Sequence, residues 1–433
     1  MPSSSSSSTI AITASRLRSL RIWSTKDYVI AAFFFLLLFS LILLSHLDSY
    51  SDSHSGSNLV PLTLLRNNAN QTRPLCLDGS APGYHFQNGF GSGSRNWLIH
   101  TEGGGWCNSV ASCSQRKFTP LGSSKYMETL IPFLGILSSD PSQNPDFFNW
   151  NKVKIRYCDG ASFAGHPDSE VRIDFTFGTG SGLFFRGQII WEAIIDELLS
   201  IGMSKAKQAL LSGCSAGGLA ALIHCDNFRQ VLPKEATVKC LADAGFFLDE
   251  KDISGNNTIR SFYSDVVQLQ GVAKSLHKEC IAKMEPSKCL FPSEIVKNIK
   301  TPVFLVHPGY DYWQIRNILV PHGSDPHGLW KRCRLNIHSC NANMVDKLDR
   351  FRGSLLKAVN EFRQQKQIGM FINSCFIHCQ TEKEVTWHSP NSPKINDKTI
   401  AESVADWFFD REVVKRVDCS YPCNPTCYNM DFT

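Results

Sequence analysis

Outside its N-terminal flank this 433-residue chain contains no Lys/Arg-dense run. A nucleic-acid-binding reading is thereby excluded, because a net charge of +5 and a pI near 8.4 do not create the local charge density that a phosphate backbone needs. The mild excess is compatible with weak long-range attraction to an acidic polymer. The pattern Gly-x-x-x-x-Gly-Lys-Ser/Thr is absent, so the glycine-rich stretch at 103–105 is not a phosphate loop. The tail cysteines Cys419, Cys423 and Cys427 lack CxxC spacing and have no histidine nearby, which argues against a zinc site. The run from Tyr28 to Leu47 has no acidic or basic residue except His46, and no clear small-x-small cleavage site follows it.

What is present divides the chain. Residues 1–27 are a basic, Ser-rich segment with Arg16, Arg18, Arg21 and Lys26. Residues 28–47 form an apolar core of signal-peptide or type II anchor character, with the basic flank expected to stay cytosolic. Residues 48–73 are polar and are expected to be a stalk, leaving 74–433 as the folded domain. Either fate of the apolar core sends that domain to an oxidising exterior. The sixteen cysteines, spread from Cys76 to Cys427, accordingly read as disulfides of unspecified pairing. Cys214 is expected to be tied or buried. The sequons at Asn70 and Asn256 are candidate glycan sites. A composition that is 42% hydrophobic and 19% charged supports a sizeable globular core.

The folded domain is organised around Gly213-Cys214-Ser215-Ala216-Gly217. An apolar segment ending at Ser212 precedes it, and small apolar residues through His224 follow. Gly-x-Ser-x-Gly between a strand and a helix is a nucleophile elbow, in which near-absent neighbouring side chains let a strained turn raise the serine. The backbone N–H of Ala216 would face a developing oxyanion. Strand-like segments at 96–100, 151–157, 238–243, 301–307 and 369–378 alternate with helical periodicity at 188–199, 355–364 and 401–409. Residues 254–297 are helical in tone and fit a cap. That order predicts an α/β-hydrolase-like fold: a mostly parallel central sheet flanked by helices, with insertions and multiple disulfides.

Hydrolase chain order places an acid and then a histidine after the serine, both at strand ends. Ser215, Asp311 and His378 satisfy it. Asp243 is the rival acid and Asp159 a weaker one. His388 is the rival base, in a turn-like stretch, and His100 and His307 read as structural or pocket-lining. The glycine-rich loop after the 96–100 strand is the expected place for a second oxyanion donor.

With these residues laid out, the chain resembles the plant pectin acetylesterases, the carbohydrate-esterase group related to the animal Wnt deacylase Notum. Carrying the likeness are Glu102-Gly-Gly-Gly-Trp-Cys107, Tyr157-Cys-Asp-Gly-Ala-Ser-Phe163, Phe185-Arg-Gly187, Gly213-Cys-Ser-Ala-Gly-Gly218, Ala242-Asp-Ala-Gly-Phe-Phe247, Tyr310-Asp311 with Trp313-Gln-Ile-Arg-Asn317, Ser374-Cys-Phe-Ile-His-Cys-Gln380 and the stretch from Ser389 to Thr399. The resemblance implies a Ser215–Asp311–His378 triad, with oxyanion donors at Ala216 and Gly105, and Trp106 as a further one. It implies a monomeric serine esterase of the cell wall, secreted or membrane-anchored, that removes acetyl groups from homogalacturonan without metal or organic cofactor. His307-Pro-Gly309 and Ile377 depart from the family pattern beside the acid and the base and bear on pocket shape. Two alternatives stand beside this reading: removal of a longer acyl group from a protein, and a silent cell-surface binding protein.

Overall fold

In a computed structural model, described for residues 59–65, 73–166 and 182–433, the apolar runs pair into one ten-stranded sheet. Its strands are β1 Leu59–Leu64, β2 Gly83–Gln87, β3 Asn96–Thr101, β4 Leu130–Pro132, β5 Asn151–Ile155, β6 Gln208–Cys214, β7 Thr237–Asp243, β8 Val303–Pro308, β9 Ile368–Asn373 and β10 Lys415–Val417. Their order is β10-β9-β8-β7-β6-β3-β5-β2-β1-β4. From β5 across to β10 every pairing is parallel, and β2, β1 and β4 add an antiparallel edge.

The central parallel strands are covered on both faces, and β8 and β9 are buried along their whole length. In β8, Val303 and Leu305 enter one core while Phe304 and Val306 enter the other. Ala209 and Leu211 of β6 likewise lie opposite Leu210. Each fully buried Leu, Ile or Phe contributes roughly 2 kcal/mol of transfer free energy. Among the described residues, five helices have nine or more residues: α1 Gly187–Ser200, α2 Ala216–Gln230, α3 Thr258–Gln270, α4 Ala342–Asn360 and α5 Ile400–Phe408. In α1 the buried Ile190, Trp191, Ile194, Ile195 and Leu198 recur at helical spacing. The expected cap is α3 with three short helical turns between Lys278 and Val296, stapled by Cys280–Cys289.

Three expectations change. Part of the 48–73 stalk is sheet, since β1 pairs with β2 and β4. Its polar surroundings hid a six-residue strand with only Val60 buried. The helix expected from Leu355 begins thirteen residues earlier, at Ala342, where the Asn341 side chain accepts the Met344 N–H as an N-cap. β9 stops at Asn373 rather than running to His378, because the tail draws the chain away. Cys375 is bonded to Cys427, and the Phe376 N–H donates to Asn429 Oδ1.

All sixteen cysteines are paired, in eight disulfides. Among the described residues no helix is long and apolar enough to cross a membrane. The 28–47 run and Asn70 lie outside those residues; Asn256 is exposed.

Candidate active site

Parallel register brings the candidate residues to one rim. Thr101 of β3 lies opposite Gly213, Cys214 opposite Asp243, Asp243 opposite Val306, and Pro308 opposite Asn373. The loops that leave these C-terminal strand ends therefore emerge side by side.

Ser215 sits between β6 and α2 at φ 58° and ψ −126°, a backbone state that costs a non-glycine residue on the order of 1–3 kcal/mol. The surroundings hold it there: its N–H donates to the Asp243 carbonyl at 2.8 Å. A methyl group on Gly213 or Gly217 would collide with Thr101, and one on Gly218 would lie 2.8 Å from the Asp243 carbonyl oxygen. As the first residue of α2, Ala216 has an N–H without an intrahelical acceptor. The glycine-rich loop packs directly on the turn, since a Cβ at Gly103 would come within 2.9 Å of Ser215 Cβ. Gly104 and Gly105 follow at φ +147° and +65°.

Asp311 leaves β8 as the N-cap of a short helical turn, accepting the Gln314 N–H at 3.0 Å on Oδ1. Its other oxygen accepts from His378 Nδ1 at 2.8 Å, with the two side chains only 2% and 7% exposed. That bond places the remaining imidazole proton acceptor at Nε2. Nε2 has no hydrogen-bond partner among the described residues, so it makes no bond to Ser215 Oγ. A ring nitrogen of His378 and the sulfurs of Cys379 and of Cys214, the residue preceding Ser215, lie within 4.8 Å of one another. Trp313 stacks on the imidazole at 6.1 Å between centroids, and Tyr312 meets it edge-on at 5.7 Å.

The rivals are engaged elsewhere. Asp243 Oδ2 accepts the N–H groups of Gln380 and Thr381 at 2.6 and 2.7 Å and the Thr381 hydroxyl at 2.9 Å, so it anchors the chain just beyond His378. Asp159 is fully buried and accepts the N–H groups of Ala161 and Phe163 in its own loop; burial pushes its carboxyl up to about 6. His388 meets the Thr399 hydroxyl at 3.1 Å and lines a separate cavity of about 480 Å³ with Glu384, Lys394 and Glu402. His100 contacts Ser212 Oγ and Glu382. His307 is buried and receives the Gln314 side-chain N–H at 3.0 Å; Ile377 is fully buried.

A fold and a site of this kind invite comparison with known proteins. The model of the Pectinacetylesterase family matches residues 53–428. The chain belongs to this family. It is 58% identical over 428 residues to pectin acetylesterase 5 of Arabidopsis thaliana, covering 97% of this chain and 99% of that protein. Pectin acetylesterase 4 of the same plant is 56% identical, covering 95% and 100%. Among solved structures, the Wnt deacylase Notum from Drosophila superposes with a TM-score of 0.70 at 24% identity, covering 86% of this chain and all of that one, which establishes a shared fold.

Sequence reasoning about this pectin acetylesterase family member missed two supports of the site. The disulfide Cys214–Cys379 joins the residue before Ser215 to the residue after His378, across a separation of 165. Asp243 holds the same loop from beneath. The cysteines' positions flanking the two side chains were the available signal, but pairing needed the fold.

Proposed function

We propose that this chain is a serine carboxylic ester hydrolase that removes acetyl groups from homogalacturonan. The observation that carries the reading is the buried Asp311–His378 pair, with Nε2 left unbonded at the rim where the Ser215 turn emerges. Membership of the pectin acetylesterase family and identity above half to two of its members supply the substrate class.

In this mechanism Ser215 Oγ attacks the acetyl carbonyl carbon while its proton passes to His378 Nε2. The carbonyl oxygen becomes an oxyanion facing the N–H groups of Ala216, Gly105 and Trp106, where a single donor is worth roughly 10²–10³ in turnover. The tetrahedral adduct expels the galacturonate oxygen, which takes the proton from His378, and leaves acetyl-Ser215. Water then attacks the acyl carbon, gives its proton to Nε2, and acetate departs as the proton returns to Ser215. Asp311 keeps Nδ1 protonated throughout and stabilises the imidazolium.

The basic flank, apolar segment and paired cysteines support export to the cell wall, either free or held by residues 28–47 with the catalytic domain outside. N-terminal sequencing of enzyme extracted from walls distinguishes these two states.

The test of the activity is acetate release from acetylated homogalacturonan by the purified enzyme beside its Ser215→Ala variant. The variant should lose several orders of magnitude in turnover. A variant that kept most of its activity would remove Ser215 from the mechanism. Cleavage of octanoyl but not acetyl esters would replace this reading with the longer-acyl alternative. Intact folded protein with neither activity would leave the binding-protein alternative.

A further inference from the structure

Two backbone N–H groups of the glycine-rich loop are anchored from behind. In a trans peptide the C=O and N–H of one unit point in opposite directions, so holding the oxygen aims the hydrogen. Arg116 Nη1 donates to the Gly104 carbonyl at 2.9 Å, and the N–H of that peptide unit belongs to Gly105. The Tyr157 hydroxyl donates to the Gly105 carbonyl at 2.8 Å, and the N–H of that unit belongs to Trp106. Neither N–H has a backbone acceptor among the described residues. The loop has no helical or strand ladder to fix its peptides, and Gly105 at φ +65° has nothing within 4 Å of an added Cβ. Side chains therefore have to do it.

The two anchors are themselves held. Tyr157 is fully buried, and its hydroxyl accepts the Ser162 N–H at 2.9 Å. Ser162 Oγ accepts the Trp106 indole N–H at 2.8 Å, which closes a ring of bonds through Gly105, Tyr157, Ser162 and Trp106. Ser162 and Phe163 stand at φ 55° and 56°, and Asp159 ties their turn down. The Arg116 guanidinium lies over the Tyr157 ring at 5.0 Å and also donates through Nε to the Leu121 carbonyl at 2.8 Å.

We propose that Tyr157 and Arg116 are positioning residues of the esterase site: each grips the carbonyl of a peptide whose N–H is an oxyanion donor. The inference rests on the Ser215 hydrolase reading. Its distinctive consequence is that both residues act on the transition state and leave ground-state binding alone.

Tyr157→Phe keeps the ring and removes the hydroxyl; Arg116→Gln removes the second grip. Steady-state hydrolysis of 4-nitrophenyl acetate by the full-length enzyme should show kcat lowered about ten- to a hundred-fold in each, with KM within about two-fold. Inhibition by a small alkylboronic acid, whose serine adduct mimics the tetrahedral oxyanion, should weaken by the same factor. Thermal melting confirms that each variant is folded at the assay temperature. Should Tyr157→Phe fail to fold, Arg116→Gln carries the same measurement. A folded variant with unchanged kcat and unchanged boronate affinity overturns the proposal, as does a rise confined to KM. Ser215→Ala is run alongside. If it remains active, the hydrolase reading itself falls; if it is inactive while both positioning variants turn over normally, only this inference falls.

Discussion

Replacing Asp311 with asparagine tests the proposed triad acid by separating its electrostatic role from its structural one. The carboxylate does two things: Oδ1 caps the turn through the Gln314 N–H, and Oδ2 accepts from His378 Nδ1. Asn is nearly the same shape, so its carbonyl oxygen keeps the cap, and stability should change by about 1 kcal/mol or less. Its NH₂ group then faces Nδ1, which must become the acceptor. The imidazole proton moves to Nε2, where it blocks removal of the Ser215 proton. A wrong tautomer in a triad lowers kcat about 10⁴-fold, which is roughly 5.5 kcal/mol of barrier. The assay is kcat for 4-nitrophenyl acetate and for acetate release from pectin, with urea unfolding as the stability control. Asp311→Ala should be as inactive and also lose the cap, so it should unfold about 1 kcal/mol more easily than Asp311→Asn. Asp243→Asn provides the contrast. It disturbs three donors around Gln380 and Thr381, so its main effect should be on stability, on the order of 2 kcal/mol, with a smaller loss of turnover. If Asp311→Asn stays within about ten-fold of wild type while Asp243→Asn falls by four orders of magnitude, the acid has been misassigned.

Two further outcomes follow from the structure. Cys214→Ser with Cys379→Ser removes a link across 165 residues, so chain entropy sets an upper loss of about 5 kcal/mol, and kcat should fall more than KM rises because Ser215 and His378 are no longer tied; unchanged kcat in folded protein refutes that coupling. Acidification should act on the buried His224, which stacks on Trp191 and meets the Phe163 carbonyl, and whose burial lowers it to about 3. A depressed histidine contributes stability that is complete above its ordinary 6.5 and lost as pH falls, about 2 kcal/mol by pH 5. Asp159, raised to about 6, works in the opposite direction: its neutral form is favoured in the fold, so acidification from pH 7 to 5 adds roughly 1.4 kcal/mol. Urea unfolding at those two pH values should show a small net change in wild type, an acid loss in Asp159→Asn and an acid gain in His224→Gln. The same pH dependence in all three would refute both assignments.

Much of the site was legible in the chain because its parts are local. A serine between glycines, at the junction of an apolar strand and a small-residue helix, specifies its own turn, and burial on both faces writes a strand such as β8 as a near-continuous apolar run. Asp311 and His378 could be proposed as acid and base by chain order, since each follows such a run. The choice over Asp243 could not be made on the same ground, because Asp243 also ends a buried strand; only register shows it bonded beneath the 380–381 backbone while Asp311 meets the ring. The strand Leu59–Leu64 escaped notice because a strand with one buried side chain has almost no hydrophobic pattern of its own. The disulfide Cys214–Cys379, the tail that ends β9 at Asn373, and the grips of Arg116 and Tyr157 on the glycine-rich loop join residues from 12 to 165 positions apart. Composition and periodicity determine what each segment buries, and so which strands and turns it forms. Which distant segments then face each other depends on how those buried faces stack, and that was decided only when the sheet closed its order.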